Sequence, residues 1–194
     1  MDVSINWILA VPWLAFLVYW GVSAIGVKKD TVAVKWWRRS WFRLFAIAVV
    51  LVLLSLDHVK IGAAWSRMGF FAPVSSGVLA AVGALLCWAG IALAIWARSC
   101  LGRNWSNHPD IKEDHELVTS GPYRFLRHPI YTGMLAALLG TAFLAGWFWI
   151  MVFIVAALVF IRRIQIEEGY MLKLFPAAYP EYKKYTKALV PFLW

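Results

Sequence analysis

From Ile130 to Ile161 the chain runs for 32 residues without a single charge. One straight helix of that length would measure about 48 Å, far more than the roughly 30 Å hydrocarbon core of a bilayer. Such a stretch must tilt steeply or fold back on itself. Gly146 lies at its middle and is followed by Trp147, Phe148 and Trp149, the residues of a turn held at an aromatic belt. The spacing predicts two helices joined as a hairpin, neither half of full spanning length.

Composition fits the same environment. With 62% hydrophobic and 15% charged residues in 194, and a mean hydropathy of +0.70, the chain reads as an all-α, polytopic membrane protein. Three apolar blocks precede the hairpin. Ile5 to Val27 is long enough to span. Trp41 to Leu56 is short, with Arg43 near its start able to snorkel to the interface. Val74 to Ala97 is again of full length, and its Gly83 and Gly90 allow close helix packing. The N-terminal block follows acidic Asp2 and lacks a small-residue cleavage site, so it reads as a retained span and not a signal peptide.

The net charge of +9 comes from Lys and Arg clusters beside these blocks. That placement points to orientation and to anionic membrane lipid as partner, not to nucleic acid. Cys87 and Cys100 suggest neither a disulfide framework nor a metal site, and His58, His108, His115 and His128 lack the spacing of zinc ligands. The loop after block one is basic, the loop after block two is sparse, and the segment after block three is basic at its ends. The tail carries Arg162, Arg163, Lys173, Lys183, Lys184 and Lys187. Inside, outside, inside and a cytoplasmic tail then require about five transmembrane helices with the N-terminus outside. The chain divides into three N-terminal spans (1–97) and a polar segment, hairpin and amphipathic tail (98–194).

The polar segment from Arg98 to Pro129 is the longest between apolar blocks, and loops of that length are commonly functional. It mixes Asp110, Glu113, Asp114 and Glu116 with basic residues, as a ligand site or an acidic surface loop would. Gly121-Pro122 is a turn signal, His128 before Pro129 should end an extended segment, and Pro129 suits the first position of a new helix. That helix start, beside Arg127, His128 and Tyr131, offers free N–H groups to an anionic or hydrogen-bonding ligand. A plain basic and aromatic interfacial anchor would use the same residues. If the hairpin forms, Arg163 and Glu167 lie on the same side of the membrane as His128 and Tyr131, one turn apart on one helix face. A snorkelling arginine with a solvated Glu167-Glu168 pair is the simpler reading of those charges.

Arg127-His128-Pro129-x-Tyr131-x-Gly133, preceded by Leu117-Val118-x-x-Gly121-x-Tyr123 and followed by Glu167-Glu168, resembles the isoprenylcysteine carboxyl methyltransferase family of integral membrane enzymes. Phe175-Pro176-x-x-Tyr179-x-Glu181-Tyr182-x-x-Tyr185 and Val190-Pro191-x-Leu193 continue the match, which covers about the last 80 residues. The resemblance implies S-adenosylmethionine as methyl donor, S-adenosylhomocysteine as product, and a prenylated C-terminal cysteine or lipid-like acceptor arriving from the bilayer. It assigns the cofactor to His115, Glu116, Leu117, Val118, Tyr123, His128, Pro129, Ile130, Tyr131 and Glu167, and the acceptor carboxylate to Arg163. Phospholipid N-methyltransferases and NADPH-dependent sterol reductases share the RHPxYxG core, and a non-enzymatic membrane interaction protein is a further alternative.

The chemistry suits these residues. Methyl transfer from a sulfonium is an in-line displacement that depends heavily on positioning. A carboxylate acceptor, with an unperturbed pKa of roughly 3.5, is ionised at neutral pH and needs no general base. It needs an arginine to orient it and a site shielded from water. There is no GxGxxG after a strand, which excludes the soluble nucleotide-binding fold.

Overall fold

A computed structural model describes residues 3–24, 77–102 and 117–190. These residues form helices α1 (Val3–Ala24), α2 (Gly77–Leu101), α3 (Pro129–Ala145), α4 (Trp147–Leu174) and α5 (Ala178–Tyr185), with a 3-10 turn at Gly121–Arg124. The expected second span, Trp41 to Leu56, lies outside the described residues, as do His108, His115 and Glu116.

The hairpin is present. Gly146 alone separates α3 from α4, with φ at 103°, a backbone conformation that a side chain would strain. Its two arms are unequal, which differs from the expectation of two short halves. The α3 arm has 17 residues and α4 has 28, or about 25 Å and 42 Å. In length and composition α2 and α4 are sufficient to cross a bilayer, while α3 is shorter. The apolar run ends at Ile161, but α4 continues because charged residues are good helix formers too. An antiparallel arm of 17 residues starting at Trp147 draws level with the start of α3 near Arg163. The rest of α4 therefore projects past it.

Helices with apolar surfaces gain little from mutual burial in lipid, so they associate through close packing and hydrogen bonds. The α2–α3 seam is built that way. Gly90 and Gly133 face each other, and a Cβ added at either would lie 2.5 Å from the other's carbonyl oxygen. Gly83 meets Gly140 one stretch further along, so α2 and α3 run antiparallel. Cys87, Ala94 and Ala137 complete the seam, all with no exposed surface. A core of Leu9, Trp13, Phe16, Leu138, Leu144 and Trp149 packs beside it. Thr141 is wholly buried but satisfied: its hydroxyl donates to the Ala137 carbonyl at 2.8 Å and accepts from Trp13 Nε1 at 3.0 Å. Of the three belt aromatics, Trp147 is exposed as expected, whereas Trp149 turns into the core.

Arg98 also departs from expectation. Placed by the sequence at the start of a polar loop, it belongs to α2 and is only 2% exposed. Its guanidinium donates to Ser23 O at 2.9 Å and to Gly102 O at 3.0 Å. Helix C-termini leave carbonyls without intrahelical partners, and a buried cation at two such ends is well placed. Midway along α2 and nearer the start of α1, Trp88 Nε1 donates to Ile8 O at 3.1 Å. With Ile8 beside Trp88 and Ser23 beside Arg98, α1 and α2 run parallel, the relative direction that the expected topology assigns to spans one and three. The C-terminal ends of α1 and α2, the start of α3 and the far end of α4 thus gather at one pole of the bundle.

Candidate functional site

That pole carries the polar chemistry. The chain approaches it through Leu117 and Val118, both half-buried and without regular structure. The 3-10 turn follows, and Tyr123 within it is buried at the end of α2, where Gly121 packs on Cys100. Burial pushes the Tyr123 phenol well above its ordinary value, with the neighbouring Tyr182 adding to the effect. His128 precedes α3 outside the helical region (φ −127°, ψ 57°), as the proline rule requires, and Pro129 opens α3 fully buried, with Ile130 half-buried after it.

Within the first turn of α3, Tyr131 is held between rings. It stacks on His128 with centroids 5.7 Å apart and on Phe160 of α4 at 4.6 Å. Its hydroxyl donates to Glu167 Oε1 at 2.6 Å. The same carboxylate oxygen accepts from Arg163 through NH2 at 3.1 Å and Nε at 3.3 Å. Oε2 of Glu167 lies 3.6 Å from His128 Nδ1. Four of the residues singled out from the sequence, His128, Tyr131, Arg163 and Glu167, therefore meet around one carboxylate. Arg163 and Glu167 are about a quarter exposed, so the cluster is reachable from outside the bundle. Tyr123 stands apart from this group, beside α2 and the tail.

Glu168, readable in the sequence only as the second carboxylate of the pair and a candidate base for an amine acceptor, sits in a network of its own. Arg127 Nε donates to Glu168 Oε1 at 2.7 Å, Lys183 Nζ donates to Oε2 at 2.6 Å, and His128 Nε2 lies 3.5 Å from Oε1 without making a hydrogen bond. Arg127 NH1 also donates to the Thr186 carbonyl. The tail after α5 lies alongside the segment before α3. Arg127 N donates to Lys187 O at 2.8 Å, His128 N to Ala188 O at 3.1 Å and Lys187 N to Phe125 O at 3.3 Å. Thr132 Oγ1 reaches Leu189 O at 2.6 Å, and Tyr182 donates to Tyr123 O at 2.6 Å. Burial pushes the Tyr182 phenol up to about 12, so it remains a donor at neutral pH. Tyr179, 2% exposed, is raised by burial for the same reason. The signal for this tail was its tyrosine spacing, but nothing local in the sequence shows which segment it pairs with.

The arrangement combines a cation, a carboxylate, a phenol and an imidazole at the polar end of an apolar bundle. It can bind a ligand bearing both charges, and an anionic group on an apolar carrier can approach Arg163 from the lipid side. Comparisons with known proteins place the chain among membrane methyltransferases by sequence and fold similarity. The chain is 36% identical over 83 residues to a protein-S-isoprenylcysteine O-methyltransferase of Schizosaccharomyces pombe, covering 42% of this chain and 35% of the relative. It is 28% identical over 136 residues to the enzyme of that name from Dictyostelium discoideum, covering 66% and 55%, and 33% identical over 116 residues to that of Saccharomyces cerevisiae, covering 58% and 48%. The chain thus spans between about a third and just over half the length of these relatives. Among solved structures it is similar to the eukaryotic intramembrane Ras methyltransferase, isoprenylcysteine carboxyl methyltransferase, with a TM-score of 0.57 and 27% identity over 71% of this chain and 54% of that one. The model of the phospholipid methyltransferase family matches residues 78–178, from α2 through the hairpin and the cluster around Glu167. That match covers just over half of the chain, which belongs to the phospholipid methyltransferase family.

Proposed function

We propose that this chain is an integral membrane O-methyltransferase that uses S-adenosylmethionine to methylate the C-terminal carboxylate of a prenylated cysteine at the cytoplasmic face. The observation that carries the reading is the Arg163–Glu167–Tyr131 cluster, about a quarter exposed at its charged pair and set at the bundle pole where the apolar run ends. The donor and acceptor set fits the cofactor. Glu167 suits an ammonium or ribose hydroxyls, and His128 Nε2 is buried without a hydrogen-bond partner. His115, Glu116, Leu117, Val118, Tyr123, His128, Pro129, Ile130, Tyr131 and Glu167 are the residues assigned to hold it. When bound, it supplies an electrophilic methyl group on a sulfonium.

The protein's own contribution is placement and dryness. Arg163 orients the acceptor carboxylate, best through both guanidinium nitrogens. That carboxylate is already ionised at neutral pH, so no side chain has to remove a proton. The stacked Tyr131 and Phe160 wall excludes water that would otherwise solvate the nucleophile. The prenyl chain stays in lipid, and residues 1–97 serve as the scaffold that holds the catalytic region, 98–194, at the interface.

A second reading is favoured by the description of the matching family, phospholipid methyltransferase. An amine acceptor must lose a proton before attack, so a base is required. Glu168 is poorly suited, since despite its burial Lys183 and Arg127 hold its carboxyl well below the usual carboxylate range and leave it too weak a base. Glu167 would have to break from Arg163 to serve.

The test of the cofactor assignment is calorimetric titration of S-adenosylhomocysteine into detergent-purified protein. Saturable binding is expected, weakened about tenfold in Tyr131→Phe, which loses a hydrogen bond to a charged group but keeps its ring. Absence of binding to the wild-type protein, with NADPH binding in its place, would overturn the reading.

A further inference from the structure

The two adjacent glutamates point to different neighbours, since successive helical residues are turned by about 100°. Glu167 faces Tyr131 and Arg163. Glu168 faces Arg127 of the segment before α3 and Lys183 of α5. Glu168 is 12% exposed and Arg127 11%, so water screens this pair little. Arg127 in turn holds the tail through the Thr186 carbonyl.

We propose that Glu168 is a positioning residue: it ties the C-terminal segment 182–189 as a strap across the start of α3, and through the strap it fixes His128 for ligand binding. The role rests on the cofactor site described under the proposed function. Three elements converge on this one carboxylate: α4 contributes Glu168 itself, the segment before α3 contributes Arg127, and α5 contributes Lys183. The strap then runs on past Arg127 and His128, whose amides donate to Lys187 O and Ala188 O. It ends where Thr132 reaches Leu189 O. His128 is thus gripped on its backbone by the strap, while its ring lies between Glu167 at 3.6 Å and Glu168 at 3.5 Å. Removing the Glu168 charge leaves Arg127 a buried cation without its carboxylate, a costly state that Arg127 can escape only by turning away and releasing Thr186.

The experiment compares wild-type protein in detergent with Glu168→Gln, Lys183→Ala and Lys183→Arg, by amide hydrogen exchange and by calorimetric binding of S-adenosylhomocysteine. Loss of one charged hydrogen bond shifts an equilibrium by about tenfold or more. The amides of Arg127, His128 and Lys187 should therefore exchange about tenfold faster in Glu168→Gln and Lys183→Ala, with those of the α2–α3 seam unchanged. Both variants should bind S-adenosylhomocysteine more weakly, and Lys183→Arg should behave as wild type in both measurements. Because Lys183 belongs to the strap and has no assigned ligand contact, a weakened Lys183→Ala supports the strap even if Glu168→Gln fails to fold. Weaker binding by Glu168→Gln with unchanged strap exchange, or faster exchange with undiminished binding, would overturn the proposal. Strap protection is measured without ligand, so wild-type protein that is protected there yet binds no S-adenosylhomocysteine would refute the cofactor reading and not the strap.

Discussion

Gly133 is the last residue of the RHPxYxG pattern, and its place in the structure assigns it to packing. A Cβ at this position would stand 2.5 Å from Gly90 O and 2.8 Å from Ala94 N, both backbone atoms that cannot swing aside. A carbon becomes comfortable against such atoms only at about 3.5 Å. The substitution Gly133→Ala therefore forces α2 and α3 apart by about 1 Å at a seam where Ala94 and Ala137 have no exposed surface. Overpacking of this kind costs about 1–3 kcal/mol. For a chain of this length, 2 kcal/mol corresponds to a drop in Tm of about 4–8 °C. Thermal unfolding in detergent, followed by tryptophan fluorescence, measures it. Gly169→Ala is the control, since a Cβ there meets nothing within 4 Å, and it should be neutral or slightly stabilising. A Gly133→Ala variant that melts with the wild type would refute the assignment of this glycine to the seam.

Replacing Arg163 by alanine should lower kcat/KM for a prenylated carboxylate acceptor at least about tenfold. S-adenosylhomocysteine affinity should fall by less than kcat/KM, since Arg163 bears on the cofactor only through Glu167, as calorimetry on the same sample will show. Topology is accessible to labelling in a background with Cys87 and Cys100 changed to alanine. Single cysteines at exposed Ser120 and Lys184 should label from the same side, and one at exposed Trp147 from the other. Opposite sidedness for the first two would break the shared pole. At alkaline pH, Tyr182 sets a further expectation, because its phenol ionises near 10 in the unfolded chain and only near about 12 in the fold. Its contribution to stability is complete below pH 10 and lost as pH rises toward 12, so Tm should fall over that interval and fall less in Tyr182→Phe. An equal fall in both proteins would place the alkaline loss elsewhere.

The hairpin was legible because 32 charge-free residues cannot cross a bilayer once, and Gly146 marks where the chain turns. The Arg163–Glu167 pair was legible from its spacing of four, and the hairpin alone brings Tyr131 to it. The true length of α4 was not. Apolar length reports how much of a helix sits in lipid, and the charged residues from Arg162 to Lys173 continue the helix without extending the apolar run. Arg98 misled for a related reason: a cation at the end of an apolar block looks like a flanking charge, and only the tertiary meeting of the α1 and α2 ends shows it the carbonyls of Ser23 and Gly102. The pairing of 125–128 with 187–188 uses backbone groups 60 to 62 residues apart in sequence, and backbone hydrogen bonding between distant segments leaves no periodicity to read. Glu168 was visible as a charge, but its role depends entirely on that pairing.

The carboxylate assignment is most directly tested by offering labelled S-adenosylmethionine with two acceptors, a farnesylated cysteine analogue and phosphatidylethanolamine, to the same purified protein. The analogue should be methylated, at a rate that changes little between about pH 6.5 and 8.5, because its carboxylate is ionised throughout. Preferential methylation of phosphatidylethanolamine, at a rate that climbs with pH toward the amine's pKa, would contradict the account.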